Sequence, residues 1–439
     1  MLSSRRIDAG IISDHDHLEI RWGLPVFRDL LHYTYRLRSI ASEGADRYAS
    51  SIHAAAARFP GLILIPAVEA NPYYRIEIDW PNCHFLVHNL HEHILAMGLS
   101  AEEIANAPSI ANGFQPSLGR RALAALAALA VALGLAMILR RGDPDRQQLR
   151  FVRTPRRQRS PFFLVFLLVG AFALFDLISQ GASRITQYGP DAGAFPYQLF
   201  IDWVAKRGGL TFWAHPGVRE SIRKGPFEVV TRPYYDHIAQ TDRYTGLEDF
   251  GTAMAGAGGI WDQLLLEYGS GLRETPPWFL AQADFKTGKP DRLLAVVNYV
   301  EVQERTERGL LDALRAGRFY ATQAGVGWEW RLESFRLSDG SASAESGGIL
   351  ETSSPVRLTA RFTRLTPAAH PLTVQVIRQG LAISSERLTD TRDLSLDDSA
   401  LSPGERRYYR LIAGRPERIE LVTNPIYVRG KPVRNDGPS

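Results

Sequence analysis

Cysteine is almost absent from this sequence, which limits the cross-links and metal sites that the chain can form. Of its 439 residues only Cys83 is a cysteine. An intramolecular disulfide and a cysteine-rich zinc site are therefore both excluded, although the compartment is not fixed by this count. The first six residues also lack the apolar core of a secretory signal peptide, so we expect no such peptide before the first motif.

Positive charge is concentrated in one short segment. Between Arg140 and Arg159 there are eight arginines and two aspartates, a net charge of +6, whereas the whole chain carries +4. The rest of the chain is therefore slightly acidic. Basic charge confined to one segment does not indicate a nucleic-acid surface, and we expect no nucleic-acid partner.

Two long apolar segments border this basic stretch. Residues 122–139 contain no polar side chain, and the run from 161 to 178 has Asp176 as its one charged residue. Segments of this length approach the roughly 20 residues needed to cross a bilayer, and arginines flank both of them. A buried Ala/Leu helix in a soluble core is the alternative. The pattern predicts a transmembrane hairpin at about 121–139 and 161–179.

The charge distribution also predicts how this hairpin is oriented. The arginine-rich loop between the spans is expected in the cytoplasm by the positive-inside rule. Residues 1–118 and 181–439 would then both lie on the opposite face, periplasmic or extracellular. The sequence therefore predicts a multi-pass membrane protein with two helices, whose partners include the lipid bilayer.

Several short apolar runs, typical of buried strands, end directly in polar residues. Because the C-terminal ends of parallel barrel strands converge on one face, the polar residues at these ends are predicted to share one pocket. They are His15, Glu69, His93, His215 and Asp284. Three imidazoles and two carboxylates suit zinc, manganese or iron, and two or three such ions support phosphoester hydrolysis. The alternatives are a satisfied core histidine for His215, an exposed loop acid for Glu69 and a helix N-cap for Asp284.

Each of the two segments that flank the hairpin has too few predicted strands and helices to form an α/β core by itself. Residues 1–118 and 181–325 are therefore predicted to form one barrel, interrupted by an insertion at 119–180. From about residue 326 the strands alternate between apolar and polar side chains and are separated by turn residues. This pattern predicts a small antiparallel β-sandwich domain over 326–439, without a catalytic pattern of its own.

Five motifs resemble, in order, those of the polymerase and histidinol phosphatase (PHP) family. They are Ser13-Asp14-His15, Ile65-Pro66-Ala67-Val68-Glu69, His93-Ile94-Leu95-Ala96-Met97-Gly98, Ala214-His215-Pro216 and Ala283-Asp284-Phe285-Lys286. The resemblance implies a distorted (βα)7 TIM-like barrel that holds one to three divalent metal ions and hydrolyses phosphoesters. It implies that His15, Glu69, His93, His215 and Asp284 bind metal, and that Asp14, His15 and His215 act in catalysis. His91 has no clear counterpart and is kept as a supporting residue.

The sequence departs from the family pattern at two places. The family's His-x-His pair has no counterpart before His15, and we expect the strand that would carry it to lie upstream of Met1. Lys286 stands where the last motif normally has histidine, and an ammonium group does not ligate a metal. The predicted function is a membrane-anchored, metal-dependent phosphoesterase with a small phosphorylated substrate. The alternative is a catalytically degenerate barrel that binds or senses a ligand.

Overall fold

The fold is known from a computed structural model, which describes residues 7–23, 31–79, 84–112, 114, 185–285, 293–325 and 327–432. The strands are β1 (Ala9–His15), β2 (Glu19–Gly23), β3 (His32–Arg36), β4 (Ile63–Ala70), β5 (Arg75–Asp79), β6 (His84–His88), β7 (Ile94–Met97), β8 (Leu210–Trp213), β9 (Glu220–Lys224), β10 (Phe227–Thr231), β11 (Gly246–Leu247), β12 (Trp278–Phe279), β13 (Val297–Val300), β14 (Phe319–Thr322), β15 (Trp330–Ser338), β16 (Ser343–Glu345), β17 (Ile349–Thr352), β18 (Val356–Arg364), β19 (Leu372–Arg378), β20 (Leu381–Leu388), β21 (Arg392–Asp398), β22 (Arg406–Arg415), β23 (Arg418–Thr423) and β24 (Ile426–Gly430). The helices are α1 (Ile40–Glu43), α2 (Ala45–Ala57), α3 (Ala101–Ala105), α4 (Phe195–Ala205), α5 (Tyr235–Gln240), α6 (Thr252–Ala255), α7 (Ile260–Ser270) and α8 (Glu307–Arg315).

A six-stranded mixed sheet carries the residues that were expected to form a site. Its strand order is β1-β4-β7-β8-β11-β12. β1 and β4 are parallel, β7 is antiparallel to both of its neighbours, and β8, β11 and β12 are parallel to one another. Ile65, Val68, Phe212 and Trp213 are completely buried in this sheet. Burial on both faces accounts for the short, continuous apolar runs in the sequence.

The predicted distorted (βα)7 TIM-like PHP barrel is wrong. β7 opposes its neighbours, and the segment between β4 and β7 forms the antiparallel pair of β5 and β6 rather than a crossover helix. The described residues are 40% strand and 19% helix, which is too little helix to alternate with every strand. The prediction failed because a short apolar run looks the same in a parallel and in an antiparallel strand.

The membrane predictions are also corrected. Over the part of the chain that the structure describes, no helix is both long and apolar enough to cross a membrane. The two predicted spans, at about 121–139 and 161–179, lie outside the described residues. The transmembrane hairpin, the multi-pass membrane assignment and the periplasmic or extracellular placement are therefore not supported, and hydropathy with flanking arginines was insufficient to establish them.

Antiparallel strands dominate the last third of the chain. β15, β16, β18 and β21 form a four-stranded sheet, and an eight-stranded sheet contains β13, β14, β17, β19, β20 and β22–β24. Both sheets contribute to one hydrophobic core, which includes Trp330, Leu358 and Leu411. Because β14 pairs with β23, the larger sheet includes strands from both sides of residue 325. The division into 1–118, 119–180, 181–325 and 326–439 stays a prediction.

A buried ion pair connects this C-terminal region to the core around the six-stranded sheet. Arg410 on β22 donates to both carboxylate oxygens of Asp262 on α7, each at 2.7 Å. The two side chains are 0% and 1% exposed. Tyr408 also donates to this carboxylate, at 2.7 Å. Buried charges of this kind are tolerated only when they are paired and hydrogen bonded.

Candidate metal centre

Glu69 and His15 face each other across the parallel pair of β1 and β4. They are register partners, and His15 is the last residue of its strand. Nδ1 of His15 lies 3.8 Å from Oε2 of Glu69. The next amide along the chain, that of Asp16, donates to the Glu69 carbonyl at 3.1 Å, which continues the pairing beyond the strand. The backbone therefore fixes these two side chains at one edge of the sheet.

His93 and His215 reach the same edge from opposite chain directions. His93 precedes β7, whereas His215 follows β8, and the Ala214 amide donates to the His93 carbonyl at 3.1 Å. Because β7 is antiparallel to β8, its beginning lies beside the end of β8. Glu69 Oε1 is 2.6 Å from His93 Nδ1 and 3.2 Å from His215 Nε2, and those two nitrogens are 3.2 Å apart. Three potential ligand atoms thus form a small triangle.

Two residues at this edge have a backbone conformation that is rare outside glycine. The φ angle is +33° at His215 and +40° at Asp284. Left-handed conformations are costly for residues with a Cβ, and they persist where the surrounding structure imposes them, often at functional sites. Both side chains line the same cavity as Glu69.

The electrostatic environment favours the protonation states of metal ligands at His15, Glu69 and His93, whereas the pKa of His215 is raised. Burial lowers the pKa of both His15 and His93, although Glu69 opposes the shift. Burial alone would raise the pKa of Glu69, but charge and hydrogen bonds from His93 and His215 outweigh it and hold that pKa well below its ordinary value. Neutral imidazoles and an ionised carboxylate are the protonation states that metal ligands require.

The residues of the cluster fit a divalent cation. Ligand atoms of His15, Glu69 and His93 all lie within 4.8 Å of one another. Nδ1 of His15, which lies 3.8 Å from Oε2 of Glu69, is buried and has no hydrogen-bond partner among the described residues. A neutral imidazole has one nitrogen that can accept, and a cation would satisfy such a lone pair. Imidazole and carboxylate donors match zinc, manganese and iron.

Asp284 and Asp14 are placed differently from the other predicted site residues. Burial would lower the pKa of His215, but Glu69 and then Asp284 raise it overall, which places the Asp284 carboxylate within electrostatic reach of the cluster. The side chain of Asp14 is exposed, and its Oδ1 accepts the His15 amide at 2.9 Å. Successive strand residues point to opposite faces, so Asp14 points away from the face that carries His15. Lys286 lies outside the described residues.

Two carboxylates that were not among the predicted site residues lie beside the cluster. Asp16 is 2% exposed and accepts the amides of Asn71 and His17, while its Oδ2 is buried without a hydrogen-bond partner among the described residues. Glu248 accepts the His215 amide at 3.2 Å, and burial raises its pKa to about 7. Asp16 follows His15 directly, which was an available signal, whereas Glu248 follows a two-residue strand too short to recognise in the sequence.

His91 belongs to a second polar group next to the cluster. Its ring centroid is 5.7 Å from that of His93. Nδ1 of His91 contacts the Glu220 carboxylate, and Nε2 is 2.8 Å from Nζ of Lys224. Burial, followed by the Lys224 charge, lowers the pKa of His91 to about 4. Its position beside His93 is consistent with a supporting residue rather than with a member of the ligand triangle.

Comparison with known proteins adds little to this geometry. No protein-family model matches the chain, and no curated protein matches it. Among solved structures, the chain is similar to a β-glucosidase from Listeria innocua in complex with gluconolactone. The identity is 10% and the TM-score is 0.14, over 24% of this chain and 16% of that structure. A likeness this slight carries no argument about fold or function.

Proposed function

We propose that this protein is a divalent-metal-dependent hydrolase of phosphoesters, with Glu69, His93, His215 and His15 as metal ligands. The observation that carries the proposal is the position of the Glu69 carboxylate, which has three imidazole nitrogens within 3.8 Å of its two oxygens. The described donors are sufficient for one ion. The ordered motifs that resemble those of the PHP family support the same reaction class.

Each residue has a definable task in this proposal. A divalent cation bound here would act as a Lewis acid on a phosphoryl oxygen and make water a better nucleophile. Glu69 supplies the negative charge that holds the cation, and the buried His93 would present Nδ1 to it, with Nε2 3.2 Å from the carbonyl oxygen of Leu90. The Glu248 carboxylate accepts a hydrogen bond from the backbone amide of His215 and so holds the His215 backbone in place. Asp284 adds a second carboxylate to the wall that faces the substrate.

Substrate has access to the cluster. Glu69, His215 and Asp284 line a cavity of about 1040 Å³, at the upper end of the range for small-molecule sites. The lining also contains apolar side chains such as Leu280 and Val297, which limit the entry of water. A phosphoester in this cavity would lie against the ligand atoms, which is where hydrolysis requires it.

The test is metal-dependent turnover by the full chain. Protein stripped with a chelator would be reloaded with Mn²⁺, Zn²⁺ or Fe²⁺ and assayed with p-nitrophenyl phosphate and bis(p-nitrophenyl) phosphate. We expect His93→Gln and His215→Gln to lose metal-dependent turnover, while His53→Gln, a change at an exposed position on α2, retains it. Because His93 is buried, a thermal melt of each variant would establish that it is folded.

Two results would contradict the proposal. Protein that binds no metal and cleaves neither substrate would remove the hydrolase and the metal centre together. Protein that binds metal through the cluster but cleaves neither substrate would remove the hydrolase and favour the alternative of a catalytically degenerate binding or sensing module.

A further inference from the structure

The cavity next to the metal cluster extends far beyond it. One wall follows β1 over residues 7–13, and the lining continues to α8 and Arg318. β1 has seven residues, and at about 3.3 Å per residue a strand of this length spans about 20 Å. A phosphoryl group at Glu69 would occupy only one end of such a space. The remaining length has room for another part of the ligand.

The far end of the cavity is located by contacts of α8. The Arg315 guanidinium donates to the carbonyl of Gly208 at 2.7 Å, so the C-terminal end of α8 lies where β8 begins. His215 lies beyond the other end of β8. Arg318 follows Arg315 by three residues, and its carbonyl accepts the Glu301 amide at 2.9 Å. The metal cluster and Arg318 therefore lie toward opposite edges of the six-stranded sheet.

The wall between these ends is largely apolar. Ile11, Leu95, Met97, Leu310 and Leu314 all line it. Ile11, Ile63 and Val297, which also line the cavity, are half-buried and so keep apolar surface that a ligand can reach. An apolar segment of a ligand would gain free energy by covering this surface.

Arg318 differs from the other arginines of the cavity in its partners. Arg305 pairs with Asp8 at 2.6 Å, and Arg331 lies 4.0 Å from Glu333. Arg318 is half-buried and has no carboxylate partner among the residues that the structure describes. A guanidinium group without a counter-charge binds a carboxylate or phosphate oxygen of a ligand through charge-assisted hydrogen bonds.

We propose that the cavity binds an elongated substrate with two anionic ends, in which an apolar segment joins a phosphoester to a second anionic group. The phosphoester end rests on the proposed function and lies at Glu69 and His215. The second anionic group pairs with Arg318. Arg318 is thus a specificity-determining residue that selects long, doubly anionic substrates over short phosphoesters.

The test uses three non-hydrolysable probes with the full chain. Phosphonododecanoic acid has both anionic ends, dodecylphosphonic acid lacks the carboxylate, and phosphonoacetic acid lacks the long apolar segment. Titration calorimetry would be performed with and without Mn²⁺. We expect phosphonododecanoic acid to bind about tenfold more tightly than dodecylphosphonic acid, as for a hydrogen bond between charged groups, and phosphonoacetic acid to bind most weakly.

Two arginine variants make the test specific. Arg318→Gln should remove the preference for the carboxylate-bearing probe and leave the binding of dodecylphosphonic acid unchanged. Arg308→Gln, at a position on α8 whose side chain is 93% exposed, should preserve the preference. Because the Arg318 guanidinium has no partner among the described residues, its removal should not lower the melting temperature.

The outcomes separate this inference from the proposed function. An equal preference in wild type and Arg318→Gln would overturn the inference, as would equal affinity for all three probes or no binding of any. A preference that depends on Arg318 but not on Mn²⁺ would support the inference and contradict only the metal centre at the opposite end.

Discussion

Nδ1 of His93 and Nε2 of His215 are 3.2 Å apart, although the two residues belong to segments that run in opposite directions. Both nitrogens also approach the same oxygen of Glu69. Two imidazole nitrogens and one carboxylate oxygen therefore surround one point. Such a group requires either shared protons or a cation. A cation at this point would satisfy all three atoms at once.

Glu69→Gln should abolish high-affinity metal binding. The substitution keeps the shape of the side chain but removes the one charge that lies between His15, His93 and His215. We expect the affinity for Mn²⁺, measured by titration calorimetry, to fall at least about 100-fold, since even residues that only support a ligand cost about 10–100-fold. Glu77→Gln is the matched control, because Glu77 is a half-exposed carboxylate that contacts His88 and Arg75. Equal losses in both variants would show that Glu69 is not a ligand.

Asp14→Asn should leave metal affinity unchanged, in contrast to His15→Gln at the next position. The Asp14 side chain is exposed and accepts only a local amide, whereas Nδ1 of His15 is buried and has no hydrogen-bond partner among the described residues. The pair of adjacent variants can be compared in the same Mn²⁺ titration. A larger loss for Asp14→Asn than for His15→Gln would show that β1 presents the other face to the metal.

Arg410→Met should strongly destabilise the fold. It leaves the Asp262 carboxylate buried and without its charged partner, and breaking a buried pair in this way costs about 3–5 kcal/mol. Urea denaturation would measure the loss. Arg357→Met is the control, since Arg357 and Asp397 form a largely exposed pair. Comparable shifts in the two midpoints would show that the Asp262–Arg410 pair does not hold the regions together.

Asp398 should make the C-terminal sheets less stable in acid. Burial would raise its pKa, but hydrogen bonds from Tyr409 and from Arg378 outweigh burial and lower it. A carboxyl group with a lowered folded-state pKa contributes stability above its unfolded pKa of about 4 and loses that contribution as the pH falls through the folded value. The difference in free energy of unfolding between wild type and Asp398→Asn should therefore shrink between pH 6 and pH 3. A difference independent of pH would contradict this assignment.

Part of the site could be inferred from sequence for a reason that does not depend on the barrel. His15 and His215 occur where apolar runs end, and Glu69 occurs within one strand at its polar end. His93 reaches the same edge although it precedes its strand, because β7 is reversed. The sequence shows that a polar residue borders a strand but not the direction in which that strand runs. The clustering was therefore accessible, whereas the parallel barrel from which it was predicted is wrong.

The remaining site features depend on contacts between distant segments. Glu220 and Lys224 reach His91 from β9, more than 120 positions along the chain. Arg318 is notable only because other arginines of its cavity have acidic partners and it has none among the described residues. Neither property leaves a local pattern in the sequence, since pairing is decided by tertiary structure. Likewise, eighteen apolar residues in a row indicate hydrophobicity but do not by themselves establish a membrane helix.

The most direct test of the metal centre is an anomalous diffraction experiment on crystals of the full chain soaked in Mn²⁺. Data collected on either side of the manganese edge would locate any bound ion without assumptions about its ligands. We predict an anomalous peak within coordination distance, about 2.0–2.3 Å, of Glu69, His93 and His215. No peak at this cluster under saturating Mn²⁺, or a peak at other residues alone, would contradict the account.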